Sequence, residues 1–145
     1  MSAGIVVIRN GLVNHMATCG PWKAAEISSC DYGVMEHVAA CGLMLRPSGE
    51  SPVENLTKGT AANYLVNWNI GGELWLRYTG DSPTFLAKIW QGMDDIVNTL
   101  AKDVTLGNSA CYATLTNISY NVNEGLELGG FDYGLIKFNI MAQDL

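Results

Sequence analysis

Three sets of residues have the types, and in part the spacing, to do chemistry. Glu36, His37 and Cys41 bring a carboxylate, an imidazole and a thiol within six residues, the parts of an orienter, a base and a nucleophile. Such a nucleophile also needs an elbow or a pair of oxyanion donors to present it, and no Gly-x-Ser-x-Gly or comparable turn accompanies the trio. A small cysteine/histidine enzyme is therefore the weaker alternative. Asp94 and Asp95 are adjacent acids, but neighbours on a helix project about 100° apart and do not face one another across a shared proton or metal. They read as a solvated helix face. Trp68, Trp75 and Trp90, with Tyr64 and Tyr78, are material for a base-stacking platform. Against that stands a net charge of −6, from 8 Lys+Arg and 14 Asp+Glu, where binding through phosphate needs a basic face. Packing in the core and at interfaces is the reading for the aromatic set.

Cys19, Cys30, Cys41 and Cys111 leave three readings open: buried reduced thiols, a zinc site completed by His15 or His37, and two disulfides. No pair has the Cys-x-x-Cys spacing with which a short loop holds two metal ligands, so buried thiols are favoured. No cofactor and no metal is expected. The sequons at Asn55 and Asn117 matter only in a secreted chain, and the first twenty residues lack a basic leading region and are interrupted by Arg9, Asn10, Asn14 and His15. Export is not expected, and no apolar run approaches the roughly 18 residues of a membrane span.

The stretch RYTGDSPTFLAKIW, Arg77 to Trp90, has the form of a strand-to-helix junction, where α/β enzymes keep phosphate loops and nucleophiles. No Gly-x-x-x-x-Gly-Lys occurs in it. Capping explains it: Ser82 accepts from first-turn N–H groups, and Pro83 takes the first helical position, where its missing N–H costs nothing.

The elements that would position these residues follow from periodicity. Ile5, Ile8, Leu12 and Met16 recur at near-helical intervals and predict a first helix from Ala3 to Met16, stopped by Gly20-Pro21 with the glycine in a left-handed cap. Trp22 to Ala40 reads as a loop with a short helical turn. CGLMLRP, ending at Pro47, reads as a strand, followed by an exposed loop to Thr60. Ala61 to Thr79 reads as one bent strand, with Gly71-Gly72 marking a bulge or a close approach. From Ser82 to about Lys102, Phe85, Ile89, Met93, Ile96, Val97 and Leu100 form one apolar side of a second helix. Two strands close the chain, CYATLTNISYNV and FDYGLIKFNIMAQ. The 145 residues, 48% of them hydrophobic, suit a single domain spanning 1–145. The fold class expected is α+β: a mixed, mainly antiparallel sheet of about four strands with two helices packed on one face.

The loop NVNEGLELGGFDYG is the candidate contact site. Glu124, Glu127 and Asp132 make it acidic, Leu126 adds an apolar group, and its glycines leave it loose. The expectation is an arm that orders on meeting a partner, with no strand running through Glu124 or Glu127. Only 15% of the chain is charged, against about 25% in ordinary soluble domains, which favours subunit contacts.

The run from Trp68 to Asn108, with its LWLRY stretch, amphipathic helix and Asp103-Val104-Thr105-Leu106-Gly107 turn, followed by two strands, resembles the small tail-terminator or tail-completion proteins of long-tailed bacteriophages. The resemblance covers Leu65 to the C-terminus. It implies a non-enzymatic structural virion protein, assembled in the host cytoplasm, that forms a homo-oligomeric ring, commonly of six subunits. Such a ring caps the tail tube, halts its polymerisation and offers the surface on which the head docks. The partners implied are further copies of the chain, the tube protein and neck or connector proteins. DNA only passes through the lumen, past an acidic wall that repels it, and no membrane is involved. A neck or head-completion connector protein is the alternative in the same class.

Overall fold

A computed structural model describes residues 4–23, 26–28, 41–77, 82–120, 126–128 and 131–144. The chain runs α1 (Gly4–Cys19), β1 (Ile27–Ser28), β2 (Cys41–Pro47), β3 (Val53–Asn55), β4 (Tyr64–Arg77), α2 (Ser82–Ala101), β5 (Tyr112–Tyr120), β6 (Leu126–Leu128) and β7 (Phe131–Gln143). The sheet order is β1-β2-β4-β7-β5, with β3 added to β4 and β6 to β7. All pairings are antiparallel except β1 with β2. The expected α+β architecture is present. The described residues form seven strands rather than about four, because β1, β3 and β6 are two or three residues long, too short to leave a periodic signal.

β4 and β5 each pair antiparallel with β7 and so run parallel to each other, with α2 as the crossover between them. Alternation puts Leu43 and Leu45 of β2, Ile70 and Leu74 of β4, Ile136, Phe138 and Ile140 of β7 and Ala113 of β5 on one face. These residues form a single core with Ile8, Leu12 and Met16 of α1 and Phe85, Ile89, Ile96 and Leu100 of α2. Both helices therefore cover the same face. Burying these side chains is the main force that joins helices to sheet.

Gly71-Gly72 lies within an unbroken register, Gly71 opposite Asn139 and Gly72 opposite Phe138, so β4 is one strand without a bulge there. Space is the reason for the second glycine: a Cβ at Gly72 would stand 2.1 Å from Cζ of Phe138. The bulge falls on β5 instead, between Leu115 and Asn117. Gly20 also departs from expectation. Its N–H bonds to the Met16 carbonyl at 3.1 Å, yet its φ is not positive; a side chain is excluded because a Cβ would lie 2.7 Å from both that carbonyl oxygen and the Trp22 ring.

The exposed loop after Pro47 contains β3, whose three residues pair with Tyr64–Val66. Short strand pairing and bonds such as Asn69 N–H to Ser51 Oγ at 3.0 Å tie it to β4.

Candidate assembly surface

Buried polar side chains are the first place to look for chemistry, and here they serve the fold. Among the described residues the buried polar or charged side chains are His15, Glu73, Thr99 and Asp144. His15 Nε2 donates to the Thr99 carbonyl at 2.7 Å, which makes Nε2 the protonated nitrogen and joins α1 to α2. Glu73 accepts from Arg46 through Oε1 and from Trp75 Nε1, at 3.3 Å, through Oε2. Trp68 Nε1 donates to Asp144 Oδ1 at 2.8 Å. Among the described side chains no buried nitrogen or oxygen lacks a partner.

The Asp103-to-Gly107 turn is built around one carboxylate. Asp103 Oδ1 accepts from Thr105 Oγ1 at 2.6 Å and Thr105 N–H at 2.9 Å, and Oδ2 accepts from Gly107 N–H at 2.9 Å. These donors, the Thr105 hydroxyl first, hold the Asp103 pKa below its ordinary value of 3.8. Leu106, Gly107 and Asn108 have φ of 51°, 67° and 67°, and the strain at Leu106 is offset by burial of its side chain, 2% exposed. The sequence suggests a tight turn here but does not reveal that an aliphatic residue occupies a left-handed position.

The Glu36–His37–Cys41 trio lies largely outside the described residues: Glu36 and His37 are not described, and of Cys41 only the backbone is, opposite Leu76. The expectation of buried thiols needs correction for the cysteines whose environment is described. Cys111 is exposed and Cys19 is half-buried, both as free thiols. Cys111 immediately precedes the edge strand β5, where only one face meets the core. Among the described residues no three His, Cys, Asp or Glu side chains gather as a metal set, and no helix is long and apolar enough to cross a membrane.

The acidic loop singled out above is partly strand. Glu124 lies outside the described residues, but Leu126, Glu127 and Leu128 pair with Tyr133, Asp132 and Phe131. Leu126, Glu127 and Asp132 are thus hairpin positions at the end of the sheet. The expectation that no strand runs through Glu127 is overturned: three residues between glycine-rich flanks are too few to show a period of two.

An exposed apolar surface lies along α2. Trp90 is 64% exposed, Val97 44% and Leu86 40%. Leu86, Trp90 and Val97 follow one another at intervals of four and seven, a second stripe along the helix beside the core-facing one, while Met93 is partly buried against the core. Val97, expected in the core, belongs to this outer stripe, as does Trp90, whose neighbours Phe85, Ile89 and Met93 are the ones packed on the core. The wheel has a broad apolar arc, and periodicity alone does not reveal where along its edge the cover of the sheet ends. Asp94 lies one turn beyond Trp90 and is exposed.

Comparison with protein-family models and with curated proteins returns no match.

Proposed function

We propose that this chain is a structural ring subunit of a long-tailed phage virion, the terminator that caps the tail tube, stops its polymerisation and presents the docking surface for the head. The observation that carries this reading is the order of elements: helix, sheet strand, long β4 with its LWLR end, amphipathic α2, the Asp103-to-Gly107 turn and two closing strands, the pattern on which the resemblance rests. An exposed tryptophan-centred stripe on α2 in a chain with few charges adds a surface suited to subunit contact. The reading makes the chain a scaffold rather than an enzyme, with no cofactor, partnered by its own copies, the tube protein and neck proteins.

The test is complementation of a phage lacking this gene, with tail lengths read by electron microscopy. A terminator gives overlong or irregular tails in its absence and normal tails when restored. Normal tails that fail to join heads would identify a neck protein instead.

A further inference from the structure

We propose that Trp90 and Asp94 of one copy dock in the groove between α1 and β2 of a second copy, around Arg9, so that the chain associates head to tail. This rests on the reading of the chain as a self-assembling subunit and names the surfaces through which it does so.

The first support is placement. His15 of α1 bonds to Thr99 of α2, which fixes the sides on which the two helices face each other. Trp90 is nine residues before Thr99 and Val6 nine before His15; nine residues are two and a half turns, so each projects directly away from the partner helix. The helix pair therefore carries Trp90 on one flank and Val6 on the other. The sheet beneath agrees: α2 contacts β5, the terminal strand at one side, more than it contacts β7 and β4, whereas Ile5, Val6 and Arg9 of α1 line a groove with Leu45, Arg46, Pro47 and Ile70 toward β2 at the other.

The second support is fit. The groove holds about 260 Å³, room for a large side chain but below the roughly 300 Å³ at which drug-sized pockets begin. Its walls are aliphatic apart from Arg9 and Arg46; the Arg46 guanidinium is already paired with Glu73, whereas Arg9 is exposed and its guanidinium bonds to the adjacent Asn10 side chain at 3.0 and 3.2 Å. A guanidinium against an indole is a favourable cation–π pair, and an acid one turn from that indole gives the same cation an ion-pair partner. Trp90 and Asp94 have this relationship.

The third support is symmetry and size. A patch on one flank that fits a different patch on the opposite flank makes a heterologous contact, which closes into a ring or continues as a filament but does not stop at a two-fold dimer. One tryptophan with Leu86 and Val97 falls short of the roughly 800 Å² per partner of a standard stable interface, so association in dilute solution is weak and is completed on a template.

Sedimentation of the purified full chain over a wide concentration range tests this, with Trp90→Ala, Arg9→Glu, Asp94→Lys and the double variant Arg9→Glu/Asp94→Lys. The expected result is concentration-dependent association, weakened at least tenfold by each single variant and recovered in large part by the charge-reversed pair, with all four melting like the parent. Recovery separates a direct contact from a general loss of solubility or fold. Association that the single variants leave unchanged would overturn the proposal and assign the stripe to a different protein, while leaving the terminator reading to the tail-length assay. A chain monomeric at every concentration would also overturn it. Normal recovery here with no effect on tail length would instead sink the terminator reading alone.

Discussion

His15 Nε2 on α1 donates to the Thr99 carbonyl on α2 at 2.7 Å, with both residues almost completely buried. That carbonyl lies in the last turn of α2, where intrahelical donors run out; it also receives a longer bond, 3.3 Å, from Lys102 N–H. His15→Leu keeps most of the volume but removes the donor. It should lower stability by about 1–2 kcal/mol, and His15→Ala, which also opens a cavity, should cost more. Urea unfolding of the two variants checks the order, and equal losses would mean that only packing matters at this position.

Gly72 and Phe138 face each other across β4 and β7, and any side chain at Gly72 meets the ring. Gly72→Ala should therefore destabilise by about 1–3 kcal/mol through overpacking, and Phe138→Ala by about 3–5 kcal/mol through the cavity it leaves. The new methyl occupies part of that cavity in the double variant, so the losses should be less than additive. Additive losses would show that the glycine is not there to accommodate the ring.

Ile96 and Val97 are sequence neighbours with opposite roles, one fully buried and the other 44% exposed. Ile96→Ala should cost about 2–4 kcal/mol, Val97→Ala no more than about 0.5 kcal/mol. Ile89→Asp, at a site 1% exposed, should abolish folding by burying an unpaired charge, whereas Asp95→Ala removes only a bond from Gln91 on the same helix and should be nearly silent. Thermal melts rank the four, and parity between Ile96 and Val97 would mean that the outer stripe is core.

These neighbours also mark how far the fold was legible in the sequence. Elements long enough to show a period were readable: α1, β2, β4, α2, β5 and β7 lie close to their expected spans. The core-facing side of α2 was readable through Phe85, Ile89, Met93, Ile96 and Leu100, but its edge was not: Val97 is 44% exposed, because Leu86, Trp90 and Val97 extend the apolar arc beyond what the sheet covers, and hydrophobicity has no direction of its own. The short strands β1, β3 and β6 owe their pairing to the longer neighbours β2, β4 and β7 rather than to any pattern in their own residues. Of the candidate contact residues, Leu126, Glu127 and Asp132 were expected in a loose loop, and flanking glycines hid the hairpin. Of the exposed α2 stripe Leu86, Trp90 and Val97, Val97 alone is on the side that periodicity assigns to the core.

The Asp103 carboxylate carries a testable pH dependence. Its pKa is lowered in the folded chain by the Thr105 hydroxyl, then by the N–H groups of Thr105 and Gly107, so its contribution to stability is present above the unfolded value and is lost as pH falls through the lower folded one. Melting temperature should fall on acidification below about pH 4, near the ordinary value of 3.8. Asp103→Asn should melt lower at neutral pH, because an amide has one acceptor oxygen where the carboxylate uses two, and it should lack this part of the acid dependence. An identical acid limb in the variant would show that the turn does not depend on the ionised carboxylate.

The hairpin of β6 with the start of β7 gives the last prediction. Its three pairs lie at the end of the ladder: Tyr133 is the last β7 residue opposite β4, through Arg77, while Asp132 and Phe131 pair only with β6. The long run from Arg77–Tyr133 to Asn67–Gln143 and the ladder to β5 do not depend on these positions. Replacing residues 123–128 by a short Gly-Ser turn therefore removes three cross-strand pairs while keeping the connection to β7. The variant should remain soluble and melt cooperatively, somewhat below the parent, because a terminal hairpin is the least costly part of a sheet to lose. If Glu124, Leu126, Glu127 and Asp132 serve assembly, the same variant should fail to restore normal tails to a phage lacking the gene, with tail length read by electron microscopy. Normal tails and full infectivity would make the segment an ordinary sheet terminus, and loss of cooperative melting would make it part of the fold.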